Sequence, residues 1–336
     1  MTISSGSPPR LRVVFLGTPD VVLPVLAALR ASQHADLVLV VTAPPARRGR
    51  GAAAAATPTP VELWAREQGL PCATPASVRE PAFLQQLLAL APDICVTAAY
   101  GQFLPRAFLD IPRFGTLNLH PSLLPELRGA APVQRALEAG LTRTGITLLF
   151  STLRMDAGPL VDQTEVDVSP QEDAQPLLLR LFGIGAGQLE VALGHLRAEG
   201  QLATRAQDED KATHAPKLTA EEAYVDVLTL AARSIVNRIR AFAPWPGVKL
   251  RVVRAGEELD LRILAATASP GVPLRAPGSA WFEPDGLMIS CKSGESVLKV
   301  TQLQLPGKRV MSAAEVRNGW PAGAEVKLAQ RYHGER

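Results

Sequence analysis

The chain has 336 residues, of which 47% are apolar, 20% charged and 5% aromatic, and its formal charge is +3. This is the balance of a folded, water-soluble protein, and it excludes a disordered chain, a collagen-like chain and a disulfide-stapled miniprotein. The length predicts two domains rather than one.

The first two hundred residues alternate short apolar runs with helical patterns. Runs rich in β-branched residues and leucine predict buried strands at 11–17, 37–42, 94–98, 116–119 and 146–150. Helical spacing between them predicts helices at 22–30, 61–68, 82–91 and 133–139. Alternating strands and helices predict an α/β, mostly parallel, doubly wound sheet, whose ligands bind beyond the carboxyl ends of the strands.

The rest of the chain predicts a helix, a linker and a small β-rich domain. Residues 175–197 are leucine- and alanine-rich and form a long helical pattern that closes the first domain, 1–198. Residues 199–216 lack periodicity and predict a linker. In 217–336, helical patterns at 220–223 and 228–241 precede β-rich runs at 248–253, 259–264, 287–291 and 297–303. Short strands with Gly/Pro turns predict a small barrel.

Charge is distributed unevenly along this organisation. Residues 1–198 are neutral, 199–210 carry −3, and 211–336 carry 18 Lys and Arg against 12 Asp and Glu, a net +6. A basic second domain suits a polyanionic partner, although a small domain is also often basic without one. The long loop 43–58 contains Arg47, Arg48 and Arg50 and five consecutive alanines; its composition fits a disordered insertion or a basic arm.

Several classes of site are disfavoured. The turn Gly17-Thr18-Pro19-Asp20 has one glycine, not the fingerprint of a nicotinamide-dependent dehydrogenase, and neither a P-loop nor G-x-S-x-G occurs. Three distant cysteines and five scattered histidines predict no disulfide framework and no metal site. Apolar runs such as 11–16 and 37–41 are far shorter than the ~20 residues of a membrane span, and no secretion signal is predicted. We expect a cytoplasmic protein without a membrane partner.

The segment Asn118-Leu-His120-Pro-Ser122-Leu123-Leu124-Pro125 leaves a predicted strand at its carboxyl end. Alternate residues of a strand share a face, so Asn118 and His120 point the same way. An amide can donate to a developing oxyanion and an imidazole can relay a proton. Asp156 follows the next strand, where it is a turn residue or a carboxylate acting with His120. These residues predict a catalytic group of Asn118, His120 and Asp156.

Together these motifs resemble the folate-dependent formyltransferases, which share an Asn, His and Asp triad. Further segments are similar to the branch that acts on an aminoacyl-tRNA, and the likeness extends from about residue 11 to about 320. They are Gly17–Asp20, Tyr100-Gly101 with Leu104-Pro105, Arg128–Pro132, His214–Leu218, Ile239–Gly247 and Gly307–Ser312.

The resemblance implies a Rossmann-like catalytic domain joined to an OB-like, tRNA-binding barrel. It implies transfer of the formyl group of 10-formyltetrahydrofolate to the α-amine of methionyl initiator tRNA. The folate would lie at Ser122, Leu123, Leu124 and Pro125, the tRNA at Arg47, Arg48 and Arg50, and we expect a monomer. The chain departs from the pattern at 52–56, where alanines replace lysines, and at Thr152-Leu153-Arg154, where an acidic residue is usual at the first position.

Two alternatives remain open at this stage. A formyltransferase acting on a sugar-nucleotide amine would share the triad and the first domain, and only residues 211–336 and the basic loop argue against it. A non-catalytic RNA-binding protein derived from such an enzyme would keep the basic domain, but the intact triad argues against it.

Overall fold

A computed structural model describes residues 8–47, 56–254, 256–270, 275–292, 296–320 and 327–328. The chain divides into two compact units. The first comprises 1–132, 143–168 and 175–216, and the second 133–142, 169–174 and 217–336. Each unit is therefore assembled from separate stretches of chain, and residues 199–216 belong to the first.

The first unit is built on one sheet with helices between its strands. Among the described residues the sheet has seven strands, in the order β5-β2-β1-β6-β7-β8-β9. The strands are β1 (Leu11–Gly17), β2 (Ala35–Val41), β5 (Cys72–Ala73), β6 (Ile94–Ala98), β7 (Thr116–His120), β8 (Arg143–Phe150) and β9 (Leu160–Asp167), and a separate ribbon pairs β3 (Ala46–Arg47) with β4 (Ala56–Thr57). The helices are α1 (Leu23–Ala31), α2 (Pro60–Glu67), α3 (Pro81–Leu90), α4 (Arg106–Leu109) and α6 (Ala174–Glu199).

The expected mostly parallel α/β sheet is confirmed, with one difference that matters for the site. β1, β2, β5, β6 and β7 run parallel, whereas β8 is antiparallel to both β7 and β9. Phe150 therefore lies beside Leu117, at the opposite end of β7 from His120. The loop after β8 must return along the sheet before it can reach His120. The sequence pattern did not indicate β9, because most residues of this edge strand are polar and Leu160 alone is buried.

Helix α6 packs an apolar face on the sheet. Its buried residues include Leu177, Leu181, Phe182, Leu189, Leu193 and Leu196. Among the described residues it is the one helix long and apolar enough to cross a membrane by length and composition, a possibility that the sequence analysis did not raise. Half of the most apolar 18-residue stretch of this helix is buried inside the protein. Gly185 lies so close to the sheet that a Cβ there would stand 2.9 Å from Leu119 Cδ2 and 3.1 Å from Ile146 Cγ1.

The second unit is a curled antiparallel sheet of the OB-like type, as expected. Its described strands are β10 (Val248–Arg254), β11 (Glu257–Pro270), β12 (Ala280–Glu283), β13 (Gly286–Cys291), β14 (Ser296–Gln304), β15 (Val310–Ser312) and β16 (Lys327–Leu328). They pair in the order β12-β13-β14-β11-β10-β16, with β15 on β14. Its helices are α5 (Pro132–Glu138), most of which belongs to this unit, α7 (Ala232–Phe242) and α8 (Ala313–Asn318).

Alanine at two glycines of α6 tests how closely this helix approaches β7 and β8. Gly187 is exposed and has open space around it, so Gly187→Ala should raise the free energy of unfolding by about 0.5–1 kcal/mol through helix propensity. Gly185→Ala gains the same propensity but overpacks the buried contact with Leu119, and should be less stable than Gly187→Ala by about 1 kcal/mol or more. Urea unfolding of both variants measures the difference, and equal stabilisation would contradict the close approach.

Candidate active site

Asn118 and His120 lie on β7, on the face away from the buried Leu117 and Leu119. The register of β6 and β7 places Thr97 directly beside Asn118. The Thr97 hydroxyl donates to Asn118 Oδ1 at 2.8 Å, which directs the amide nitrogen of Asn118 away from β6. Because the oxygen is occupied, the Asn118 side chain presents its N–H groups to the site.

His120 is almost fully buried, with 4% of its surface exposed. Its Nε2 lies 3.0 Å from the backbone carbonyl of Leu127. A carbonyl only accepts hydrogen bonds, so this contact assigns a proton to Nε2. The other ring nitrogen, Nδ1, faces Asp156 Oδ2 at 3.6 Å. The ring therefore has a fixed orientation, and Nδ1 is the atom able to exchange a proton at the site.

The carboxylate of Asp156 lies between these two residues. Its Oδ1 is 3.4 Å from Asn118 Nδ2, and its Oδ2 accepts from the backbone N–H of Gly129 at 2.9 Å. The residue has a φ of 53°, in the left-handed region. The structure thus brings the three candidate catalytic residues together, although β8 ends at the far end of β7.

The residue that donates to Asp156, Gly129, lies at a position where a side chain does not fit. Its φ is 123°, which L residues rarely adopt, and a Cβ there would stand 2.7 Å from the carbonyl oxygen of Ala215. The close approach of these two segments positions the Gly129 N–H toward the Asp156 carboxylate.

The candidate folate-binding residues form a tight turn directly after β7. Ser122 and Leu124 are buried, whereas Leu123 and Pro125 are half-buried. Thr147 on β8 donates to the carbonyl of Ser122 at 2.6 Å and accepts from the N–H of Leu124 at 3.2 Å. The turn is thus held against the sheet.

An ion cluster next to Asp156 was not predicted from the sequence. Arg128, with 5% of its surface exposed, donates to both carboxylate oxygens of Glu209, and Arg154 donates to Glu209 at 2.7 Å. Arg128 first and Arg154 second lower the pKa of Glu209 to about 2. A lowered pKa contributes stability above the unfolded value that is lost only as the pH falls toward 2, so this cluster stays charged at neutral pH. The only sequence signal was the Arg128-Gly129 motif.

The candidate tRNA-binding arginines lie mostly outside the described residues. Arg47 ends β3, which pairs with β4 through Arg47 and Ala56, but its side chain is outside the described part, as are Arg48 and Arg50 entirely. β3 and β4 thus pair at the two ends of the segment 48–55. Within the described residues, no group of three His, Cys, Asp or Glu side chains could hold a metal ion.

Two buried threonines provide a matched test of the Asn118 contact. Thr97→Val removes the donor to Asn118 Oδ1, whereas Thr116→Val removes a buried hydroxyl that has no hydrogen-bond partner among the described residues. We expect Thr97→Val to be less stable than Thr116→Val by about 1–2 kcal/mol, because only the first leaves a polar atom unsatisfied. Chemical unfolding measures the difference, and equal stabilities would show that Asn118 is not held by Thr97.

The geometry combines an oriented amide donor, an imidazole and a carboxylate beside an apolar turn. Such a group can bind a developing oxyanion and move one proton on each side of a reacting carbonyl. This is the chemistry of acyl transfer, and the chain's similarity to known proteins agrees with it.

Residues 11–183 match the family model described as formyl transferase, and residues 217–321 match that of the formyl transferase C-terminal domain. The fold resembles an N-formyltransferase from Helicobacter canadensis, solved with folinic acid and dTDP-3-aminofucose, with a TM-score of 0.63 and 13% identity over 86% of this chain and 99% of that one. It also resembles HypX from Aquifex aeolicus, solved with tetrahydrofolic acid, with a TM-score of 0.58 and 15% identity over 94% of this chain and 48% of that one. At these identities the likeness shows the fold alone.

Sequence relatives are much closer and extend over nearly the whole chain. A methionyl-tRNA formyltransferase from Geobacillus thermodenitrificans is 39% identical over 95% of this chain and 97% of its own length. That from Chromohalobacter salexigens is 41% identical over 92% and 93%, and that from Thermus thermophilus 40% identical over 95% and 100%. The chain therefore belongs to the methionyl-tRNA formyltransferases of the formyl transferase family.

Proposed function

We propose that this chain transfers the formyl group of 10-formyltetrahydrofolate to the α-amine of methionyl initiator tRNA. The product would be formylmethionyl-tRNA for translation initiation in the cytoplasm. The observation that carries the proposal is the Asp156 carboxylate, which lies within 3.6 Å of His120 and within 3.4 Å of Asn118. It occurs in a chain whose relatives keep this family name over nearly their full length.

Asn118 stabilises the charge that forms as the amine adds to the formyl carbon. Thr97 occupies Asn118 Oδ1, so the Nδ2 hydrogens are free to orient toward the site. Nδ2 makes only a long, 3.4 Å contact with Asp156, which leaves it available to an oxyanion. A positioned donor of this kind is worth about 3–4 kcal/mol in the transition state.

Asp156 and His120 move the protons. The α-amine has a typical pKa of about 7.7–8.0, so part of it is neutral at pH 7, and a base is needed only for the proton released on addition. Asp156 accepts that proton, directly or through a water. Asp156 then passes this proton to Nδ1 of His120, since Nε2 already donates to Leu127. Nδ1 delivers the proton to the folate nitrogen as its bond to the formyl carbon breaks, which leaves Asp156 and His120 as they were at the start.

The folate lies against the turn of Ser122, Leu123, Leu124 and Pro125. Thr147 holds this turn on the sheet, and its half-buried Leu123 and Pro125 give a small molecule an apolar edge. The chain matches the formyl transferase family model, and two proteins of the same fold were solved with folate derivatives, so we assign a folate as the formyl donor. We propose 10-formyltetrahydrofolate as that donor, acting without a metal ion.

Charge in the second unit supports a tRNA acceptor. Lys249 on β10 and Arg262 on β11 lie directly opposite each other, alternating along their strands with buried residues. Together they add positive charge to this face of the sheet, which favours an anionic partner. Lys249 also lies over the ring of Tyr224, at 5.3 Å from its centroid. A pair of cations beside an aromatic ring suits a phosphate backbone, and the acceptor proposed is methionyl initiator tRNA bound by a monomer.

A sugar-nucleotide amine is the alternative acceptor. The Helicobacter canadensis protein was solved with such a sugar, but it shares only the fold with this chain. An enzyme acting on a small amine does not require the net charge of +6 in residues 211–336. The proposal would be wrong if the chain formylated a sugar-nucleotide amine and left methionyl initiator tRNA unmodified.

Asp156→Asn tests the proton acceptor. An amide keeps the size of the side chain but cannot accept a proton, so we expect kcat for formyl transfer to fall by about 10²–10⁴-fold. The rate is measured with 10-formyltetrahydrofolate and methionyl initiator tRNA, and folding is checked by circular dichroism. Asp36→Asn, an exposed residue on β2, makes the same chemical change away from the site and should keep the normal rate. A near-normal rate for Asp156→Asn would remove Asp156 from the mechanism.

Salt dependence tests the tRNA-binding residues. We expect Lys249→Gln with Arg262→Gln to weaken tRNA binding and to reduce the slope of log Kd against log salt by about 2, because each lost phosphate contact removes about 1. Replacing Arg47, Arg48 and Arg50 by alanine should reduce it by up to about 3. Arg30→Gln, on the exposed side of α1, is the charge-matched control and should leave the slope unchanged. An unchanged slope in either set of variants would show that those residues do not contact tRNA phosphates.

A further inference from the structure

Gln207 connects the segment 199–216 to the backbone of the Asp156 loop. Its amide nitrogen donates to two carbonyl oxygens, those of Asp156 and Gly158, each at 2.8 Å. One amide group thus uses both of its N–H donors on the same short loop. These carbonyls flank Ala157 on the chain, so the two bonds fix the path of the backbone around Asp156.

Arg128 determines which way the Gln207 amide faces. The guanidinium donates to Gln207 Oε1 through Nε at 3.1 Å and through Nη2 at 2.7 Å. Arginine has donors and no acceptor, so the amide oxygen must point toward Arg128 and the amide nitrogen toward the loop. The buried guanidinium therefore acts on Asp156 through Gln207.

Two neighbouring residues, Arg128 and Gly129, hold different parts of Asp156. The N–H of Gly129 binds the carboxylate of Asp156, while Arg128 binds the backbone of Asp156 through Gln207. Arg128 is itself tied to the chain after Gln207, since its N–H donates to the carbonyl of Thr213 at 2.9 Å and its carbonyl accepts from Ala215 at 2.7 Å. The segment that contains Gln207 is thus docked in one register.

We propose that Gln207 is a positioning residue for formyl transfer, which keeps Asp156 in its left-handed conformation with the carboxylate toward His120. The inference rests on the role proposed for Asp156 and extends it to a residue 51 positions later in the chain. The left-handed region is less populated than the right-handed one even for aspartate, and two hydrogen bonds to carbonyls of its own loop stabilise this conformation. Without them the carboxylate would leave the position facing Nδ1.

The ion cluster allows this role to be separated from a general contribution to folding. Arg128 pairs with Glu209 as well as with Gln207, and Glu209 also pairs with Arg154. Loss of Gln207 therefore leaves the buried guanidinium with a carboxylate partner. The hydrogen bonds to the loop carbonyls, by contrast, depend on the Gln207 nitrogen.

Two substitutions distinguish the donor from the acceptor of Gln207. Gln207→Glu keeps the side-chain length and an acceptor for Arg128, but its carboxylate cannot donate to the carbonyls of Asp156 and Gly158. Gln207→Met has a similar length and lacks both functions. Gln85→Glu, an exposed residue on α3, is the matched control for the added charge. For each protein we would measure kcat, KM for tRNA and for 10-formyltetrahydrofolate, and the unfolding midpoint.

We expect both Gln207 variants to lose about tenfold to 10²-fold in kcat, with KM values within about twofold of wild type, because displacement by about 1 Å is enough for such a loss. The control should be unchanged. A normal kcat for Gln207→Glu beside a low one for Gln207→Met would overturn the proposal and leave Gln207 only as a partner of Arg128. Losses that follow the unfolding midpoint alone, or that occur in KM alone, would also overturn it.

Hydrogen exchange of the peptide that contains residues 151–158 gives a readout independent of turnover. Faster exchange in this peptide in both Gln207 variants, with the rest of the first unit unchanged, is expected if the two bonds hold the loop. Unchanged exchange would contradict the proposal. If the wild-type protein formylates no tRNA, the proposed function fails, and the exchange result still decides whether Gln207 holds the Asp156 loop.

Discussion

A carboxylate that is mostly removed from water must find hydrogen-bond donors, and the arrangement of this site depends on how Asp156 finds them. Its side chain is 12% exposed; Oδ2 accepts from the Gly129 N–H and faces His120 Nδ1, and Oδ1 lies 3.4 Å from the Asn118 amide nitrogen. The backbone reaches this position only by turning left-handed at Asp156, a conformation that is less favourable than the right-handed one even though aspartate adopts it more readily than most residues. Neighbouring segments must offset that cost, so residues far apart in the sequence converge on one loop.

Strand β7 supplies the fixed side of this arrangement. It pairs with β6 and β8, and Leu119 packs beneath α6 at Gly185, so the strand is held on both edges and on one face. Only the opposite face is left for Asn118 and His120. The direction of β8 explains why the Asp156 loop must be long enough to return along the sheet, and why its carbonyls need partners outside the sheet.

Local patterns in the sequence were sufficient to predict the parallel sheet and the residues on β7. Strands β1 and β6 are mostly apolar runs, and in β7 the alternation of Asn118 and His120 with Leu117 and Leu119 follows from strand geometry alone. The strand β8 was predicted at 146–150, but its antiparallel direction, the edge strand β9 and the short helix α4 could not be predicted, because they depend on neighbours rather than on local periodicity. The roles of Thr97 and Gln207 could not be predicted for the same reason. Their partners lie 21 and 51 residues away, and neither residue belongs to a motif that indicates its role.

The departure from the family pattern at Thr152 has a structural counterpart. Thr152 donates to the carbonyl of Arg154 at 3.0 Å, and Arg154 pairs with Glu209, the carboxylate that also binds the buried Arg128. The negative charge beside Arg128 is thus supplied by Glu209, in the segment 199–216. The two arginines hold the pKa of Glu209 at about 2, so the ion pairs persist throughout the neutral range. A change in transfer rate near neutral pH must then originate at the reacting groups, because the residues that hold the loop in place do not change charge there.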